Sequence, residues 1–190
     1  MTTVSPRALG PLAVLALLAA AGCGGATDTA GGAPSAGPQA GTGVIAVSST
    51  AFADGAEIPA ANTCRGAGQP PPLRWSGVPP AATSLALVVD DPDAPGGTFV
   101  HWALLGIPAA VDQLNGATPP VGATALTNSA GHAGWTPPCP PSGTHHYRFT
   151  VYALGASAPD TAGVATLNLT KIVATQSIAS GRLTGLVTAG

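Results

Sequence analysis

The chain has 190 residues, 45% of them hydrophobic and only 7% charged, with 26 Gly and 20 Pro. Six Lys and Arg against eight Asp and Glu give a formal charge of −2, which excludes the cationic surface of a sequence-independent nucleic-acid binder. The hydrophobic fraction excludes disorder throughout, and Gly and Pro at roughly a quarter of the chain favour short strands joined by turns over a helix bundle.

Residues Ala8 to Ala21 form an apolar run preceded by one cation, Arg7, and interrupted only by Gly10 and Pro11. It is too short for a permanent membrane helix and lies at the N-terminus, so it reads as a secretory signal. The run closes on Leu18-Ala19-Ala20-Ala21-Gly22-Cys23, which resembles a bacterial lipobox, with Ala20 where Leu is usual. Small residues before the cysteine fit a signal peptidase, and the Cys23 thiol then carries the lipid. The other reading is an ordinary secretion signal with an incidental cysteine. Residues 24–43 are nearly all Gly, Ala, Ser, Thr and Pro, a composition that cannot bury a core and serves as a flexible spacer. The expected organisation is a lipoprotein signal peptide over 1–22, lipidated Cys23 and a linker to 43, and a folded domain over 44–190. The expected location is the extracytoplasmic side of the cell membrane, held by acyl chains.

In the domain, apolar stretches are short and separated by turn residues, the pattern of strands. Val44 to Val47 begins a sheet. Leu85 to Val89 is continuously apolar, as a strand buried on both faces would be. It stops at Asp90-Asp91-Pro92-Asp93-Ala94-Pro95-Gly96-Gly97, whose prolines and glycines forbid continuation. Phe99 to Leu105 forms a strand with Phe99, His101, Ala103 and Leu105 on one face. His145 to Leu154 forms another, with His145, Tyr147, Phe149 and Val151 together. Leu167 to Ser180 is the best helix candidate, with Leu169, Ile172, Val173 and Gln176 near helical spacing. The fold class is mainly β, in one domain.

With Cys23 assigned to lipid, Cys64 and Cys139 remain as an even pair in an oxidising compartment. They form either a disulfide or one structural and one reactive thiol. All four histidines lie between His101 and His146, with Asp90, Asp91 and Asp93 just ahead of them. Asp91 and Asp93 flank a proline at a strand end. His145 and Tyr147 share a strand face directly after the stiff Pro137-Pro138-Cys139-Pro140-Pro141 segment. Proline-framed loops that gather His, Tyr and carboxylate suit a small polar pocket. Taken singly, each signal has a structural reading: a hydrogen-bonded core histidine, an Asx turn, a packed tyrosine.

Together these blocks resemble the bacterial branch of the phosphatidylethanolamine-binding protein family, also called Raf kinase inhibitor-like proteins. The resemblance is carried by Leu85–Ile107 (LALVVDDPDAPGGTFVHWALLGI), Thr63-Cys64, Pro71–Pro79 (PPLRWSGVP) and Cys139–Phe149 (CPPSGTHHYRF), in family order over about Ile45 to Leu186. It implies two antiparallel β-sheets with short peripheral helices and a shallow pocket for phosphate-like anions. It places pocket acids on Asp91 and Asp93, a pocket histidine on His101, a histidine and tyrosine on His145 and Tyr147, and wall prolines on Pro140 and Pro141. Cys64 and Cys139 match cysteines common in the bacterial branch, consistent with a disulfide. Two departures stand out: Arg65 where an Asp is usual, and Pro137 where a glycine is usual.

The expected function is a lipid-anchored envelope binding protein for phosphate or phosphoethanolamine-like headgroups, with no enzyme activity, cofactor or metal. Histidine N–H and tyrosine O–H would donate to phosphate oxygens, while the aspartates orient those donors. Three other readings compete. One is inhibition or regulation of an envelope enzyme through protein contact. Another is a hydrolase using Cys139 with His145, which a disulfide to Cys64 would abolish. The last is a metal site built from Asp91, His101, His132 and His145, whose spacing matches no short metal motif.

Overall fold

The computed structural model describes residues 43–155 and 166–190. The signal segment, Cys23 and the linker to residue 42 therefore lie outside the described residues. In chain order the elements are β1 (Gly43–Val44), β2 (Ala46–Ser48), a 3-10 turn (Ala60–Asn62), β3 (Leu73–Ser76), β4 (Ser84–Asp91), β5 (Phe99–Pro108), β6 (Gln113–Leu114), β7 (Thr124–Ala125), β8 (Thr144–Leu154), α1 (Thr166–Gln176) and β9 (Ser177–Thr188). Six strands form one sheet in the order β1-β9-β8-β4-β5-β7, and β2-β3-β6 form a second. Pairing is antiparallel except where β1 runs parallel to β9. The expected β-rich fold with two sheets is therefore present, with one helix and one short 3-10 turn among the described residues.

The continuous run of β4 is central because both its faces are covered. Leu85, Leu87 and Val89 enter the main core with Trp75, Trp102, Leu104, Phe149 and Val151. Ala86 lies on the other face with Leu105, Leu154 and Val173 of α1, and Val88 with Val100 and Ala103. Each such aliphatic side chain fully withdrawn from water contributes about 1.5–3 kcal/mol, and Leu85, Leu87 and Val89 are all completely buried.

Three sequence expectations need correction. The Val44–Val47 strand is divided between the two sheets, with buried Ile45 at the crossing. Phe99, His101, Ala103 and Leu105 do not share one face. Val89 pairs with Trp102 while Asp90 pairs with Val100, so His101 is an extra residue in β5, a β-bulge. Phe99, His101 and Trp102 consequently face the main core side, and Ala103 and Leu105 turn to the opposite side. The helix ends at Gln176, and residues 177–180 belong to β9 instead. Ala179, Gly181, Leu183, Gly185 and Val187 alternate inward along β9, and the small residues hide that period. They are small because other chain segments cross there. A Cβ at Gly181 would overlap the Ile45 carbonyl oxygen, and one at Gly185 would collide with the Ile58 side chain.

Candidate functional site

The site lies where β8 begins, β4 ends and β5 begins, three neighbouring strands of the large sheet. Antiparallel pairing brings these termini to one sheet end, so Asp91, His101, His145 and Tyr147 converge although they are spread over three separate segments of the chain. A cavity of about 190 Å³ opens there, and Asp91, His101, Pro140, Pro141, His145 and Tyr147 all line it. Six of the seven expected pocket residues are thus brought together. Asp93 is not among the lining residues. Its carboxylate turns to His146, whose backbone N–H and Nδ1–H it accepts at 2.8 and 2.7 Å. These contacts, the backbone one foremost, hold the Asp93 carboxyl below its usual value.

Asp91 is 3% exposed and His145 6%. Asp91 Oδ2 accepts from His145 Nδ1 at 2.7 Å, and Oδ1 accepts the backbone N–H of Asp93 at 2.8 Å. The second contact is an Asx turn that closes the DPD corner. One carboxylate therefore fixes both the loop and the imidazole. Tyr147 is buried beneath the cavity. Burial first, and then the Asp91 carboxylate, push its hydroxyl well above the usual tyrosine range, so it is a neutral phenol.

The bulge aims the His101 ring at the same space. Its edge meets Tyr147 at a centroid distance of 5.2 Å, and the Phe99 ring lies 4.7 Å away. His101 and Thr136 bind each other twice: Thr136 N–H donates to the His101 carbonyl at 3.0 Å, and His101 Nδ1–H donates to the Thr136 carbonyl at 2.9 Å. Burial pushes the His101 imidazole below its ordinary value despite that bond and nearby Asp91.

Sequence reasoning missed the support behind Thr136. Asn128, 4% exposed, donates through Nδ2 to the Gly134 carbonyl and to Thr136 Oγ1, both at 2.9 Å. Its Oδ1 accepts the Ala130 N–H at 2.9 Å. One buried amide thus shapes the 128–136 loop that positions His101. The Asn-Ser-Ala-Gly run signals a turn, but nothing local shows that the amide is buried.

The remaining wall is Thr136 to Pro141. Pro137, which stands where the sequence resemblance leads one to expect a glycine, lines the cavity. Four prolines in the wall leave Cys139 as the sole backbone N–H donor between 137 and 141. Cys139 is bonded to Cys64, with Cα atoms 5.5 Å apart, so it carries no free thiol. Cys64 N–H also donates to the Pro138 carbonyl at 3.0 Å, tying the wall to the 3-10 turn region a second time. Arg65, the other departure, lies outside the main cavity, in a smaller hollow of about 90 Å³ behind the disulfide.

His132 also lies away from the cavity, exposed, with Nε2 against Thr136 Oγ1 at 3.0 Å. Among the described residues no three His, Cys, Asp or Glu side chains form a metal-holding group. No Lys or Arg among the described residues lines the cavity. Arg148 is held in a two-point bond to Asp90, Nε and Nη2 at 2.8 and 2.6 Å, and this bond raises its pKa.

The family model of the phosphatidylethanolamine-binding proteins matches residues 48–188. The chain belongs to this family. It is 48% identical over 152 residues to a UPF0098 protein of Mycobacterium bovis, covering 78% of this chain and 73% of that one. It is 44% identical over 144 residues to the Mycobacterium tuberculosis protein named "Putative lipoprotein LppC", covering 74% and 71%. Among solved structures, a phosphatidylethanolamine-binding protein homologue from Chlamydia trachomatis superposes with a TM-score of 0.70 at 35% identity, over 78% of this chain and all of that one. Escherichia coli YbcL superposes with a TM-score of 0.71 at 31% identity, over 77% and 99%. Both share this family's fold, so the fold implied by the sequence blocks is the one found.

Proposed function

We propose that this phosphatidylethanolamine-binding family member is a lipid-anchored protein of the cell envelope that binds a small phosphate-bearing group and catalyses no reaction. The observation that carries the reading is the convergence of His101, His145 and Tyr147 around buried Asp91 in one cavity of about 190 Å³. Cys139 is held in its disulfide with Cys64, which speaks against a hydrolase built on that thiol. The anchor rests on the lipobox-like Leu18–Cys23 and on the name of the LppC relative. Among the described residues no helix is long and apolar enough to cross a membrane.

Equilibrium titration of the full chain with inorganic phosphate and O-phosphoethanolamine tests the binding reading. Saturable binding that is lost in both His101→Ala and His145→Ala supports it, and unchanged binding in both variants rejects this pocket as the site. Globomycin-sensitive labelling of Cys23 by a radioactive or clickable fatty acid in a bacterial host tests the anchor, and absence of label rejects it.

A further inference from the structure

The Cys64–Cys139 bond lies at the surface, with both cysteines exposed. An exposed disulfide is open to attack by a thiolate, which a buried structural bridge is not. The hollow of about 90 Å³ opens onto this bond and is lined by Cys64, Arg65, Pro138, Cys139, Pro140 and residues 187–190. Arg65 follows Cys64 in the chain and is the cation of that hollow. Its guanidinium stands 3.9 Å from the Glu57 carboxylate with both side chains open to solvent, so that pair is weak and leaves the charge available. The two sulfurs are therefore unequal. Cys64 has a cation beside it, whereas Cys139 is flanked by prolines and also borders the larger cavity, whose lining includes Asp91 but no Lys or Arg. A neighbouring cation favours a thiolate, and the more stable thiolate is the better leaving group.

We propose that Cys139 is a site of reversible S-thiolation by a small monothiol, with Cys64 as the leaving and resolving sulfur and Arg65 as the positioning residue beside it. In the forward step the thiolate of the small molecule attacks Cys139 Sγ. A new S–S bond forms to Cys139, the Cys64–Cys139 bond breaks, and its electron pair leaves on Cys64 Sγ. One disulfide replaces another, so nothing is oxidised or reduced overall. In the reverse step the Cys64 thiolate attacks Cys139 Sγ and expels the small thiolate. The backbone keeps both residues in place for that return. Cys64 N–H donates to the Pro138 carbonyl at 3.0 Å, and Thr63 Oγ1 donates to the Ala60 carbonyl at 3.0 Å while accepting the Arg65 N–H at 3.2 Å. Prolines 137, 138, 140 and 141 stiffen the segment that carries Cys139. Because Cys139 also lines the larger cavity, the adduct brings a substituent to that cavity's wall.

Glutathione is the probe. The oxidised full chain is incubated with excess glutathione, quenched by alkylation at early times and mapped by mass spectrometry of its peptides, which keeps Cys23 apart from the other two cysteines. The expected early product carries glutathione on Cys139 and the alkyl label on Cys64, and removal of free glutathione before the quench restores the Cys64–Cys139 bond. Arg65→Gln is expected to slow formation of the adduct about threefold, and Arg65→Lys, which keeps the charge, to restore the rate. Arg65 is exposed, so neither variant disturbs the core. An adduct mainly on Cys64, a rate unchanged in Arg65→Gln, or a bond that resists glutathione until the chain is unfolded in urea overturns the proposal. None of these readouts involves phosphate, so the anion-pocket reading stands or falls separately.

Discussion

Asp91 and His145 stand 54 residues apart in sequence, yet their side chains meet at 2.7 Å, both nearly buried, at the end of two paired strands. That contact joins the DPD turn to the start of β8 and sets which imidazole nitrogen faces the cavity. Next to it, Asp93 and His146 form a second pair, also at 2.7 Å but exposed. The inner pair fixes the pocket, and the outer pair, open to solvent, contributes little to stability.

Asp91→Ala is expected to lower the unfolding free energy by about 3 kcal/mol, because it leaves the nearly buried His145 ring and the Asp93 N–H without their acceptor. Asp93→Ala should cost about 1 kcal/mol or less. Urea denaturation of the two variants checks the ordering; equal losses would contradict the distinction between the pairs.

Acid sensitivity follows from His101. Burial depresses its pKa below 6.5, so between the depressed value and 6.5 the unfolded chain binds more protons than the folded one. Its contribution is fully present above pH 6.5 and is lost as pH falls through the folded-state value. Asp93, depressed below 3.8, adds a second window lower still, where stability is lost as its carboxylate protonates. Thermal melts across pH should show the first decline beginning near 6.5 and flattened in His101→Gln; an unchanged slope in that variant would contradict the assignment.

The Cys64–Cys139 bond closes a sequence separation of 75 residues, worth about 4 kcal/mol in the chain-entropy model. It also holds the wall that carries the cavity's one backbone donor between 137 and 141. Reduction, or Cys64→Ser with Cys139→Ser, should therefore lower stability by that order and weaken phosphate binding in the remaining folded molecules. A stability loss with unchanged affinity would separate the disulfide from the pocket.

Gly181→Ala is expected to destabilise by about 3 kcal/mol, since the added carbon would meet the Ile45 carbonyl oxygen and force the β1–β9 crossing apart. Leu183, the next inward residue of β9, provides a control on the same face: Leu183→Val removes one methylene and should cost about 1 kcal/mol. Denaturation midpoints of the two variants compare overpacking with simple truncation. A Gly181→Ala loss no larger than that of Leu183→Val would contradict the close crossing.

Much of this was legible in the chain. The Leu85–Val89 run pointed to a strand buried on both faces, and the Asp-Pro-Asp, His, Tyr and Pro positions pointed to six of the residues that line the cavity. What was hidden depends on partners distant in sequence. The bulge at His101 appears only when β5 is paired with β4, and it reverses the face of Ala103 and Leu105. β9 was hidden because its inward residues include Gly181 and Gly185, whose small size answers crossing segments rather than strand propensity. Asn128 carries no periodic signal, and its role arises from the loop that folds around it.

The most direct test of the central claim is a ¹H–¹⁵N NMR titration of the protein with inorganic phosphate, followed at the side chains of His101 and His145. The account predicts saturable shifts at both rings that disappear in His101→Ala and in His145→Ala. Absence of shifts at millimolar phosphate, or shifts confined to exposed His132 and His146, would contradict it.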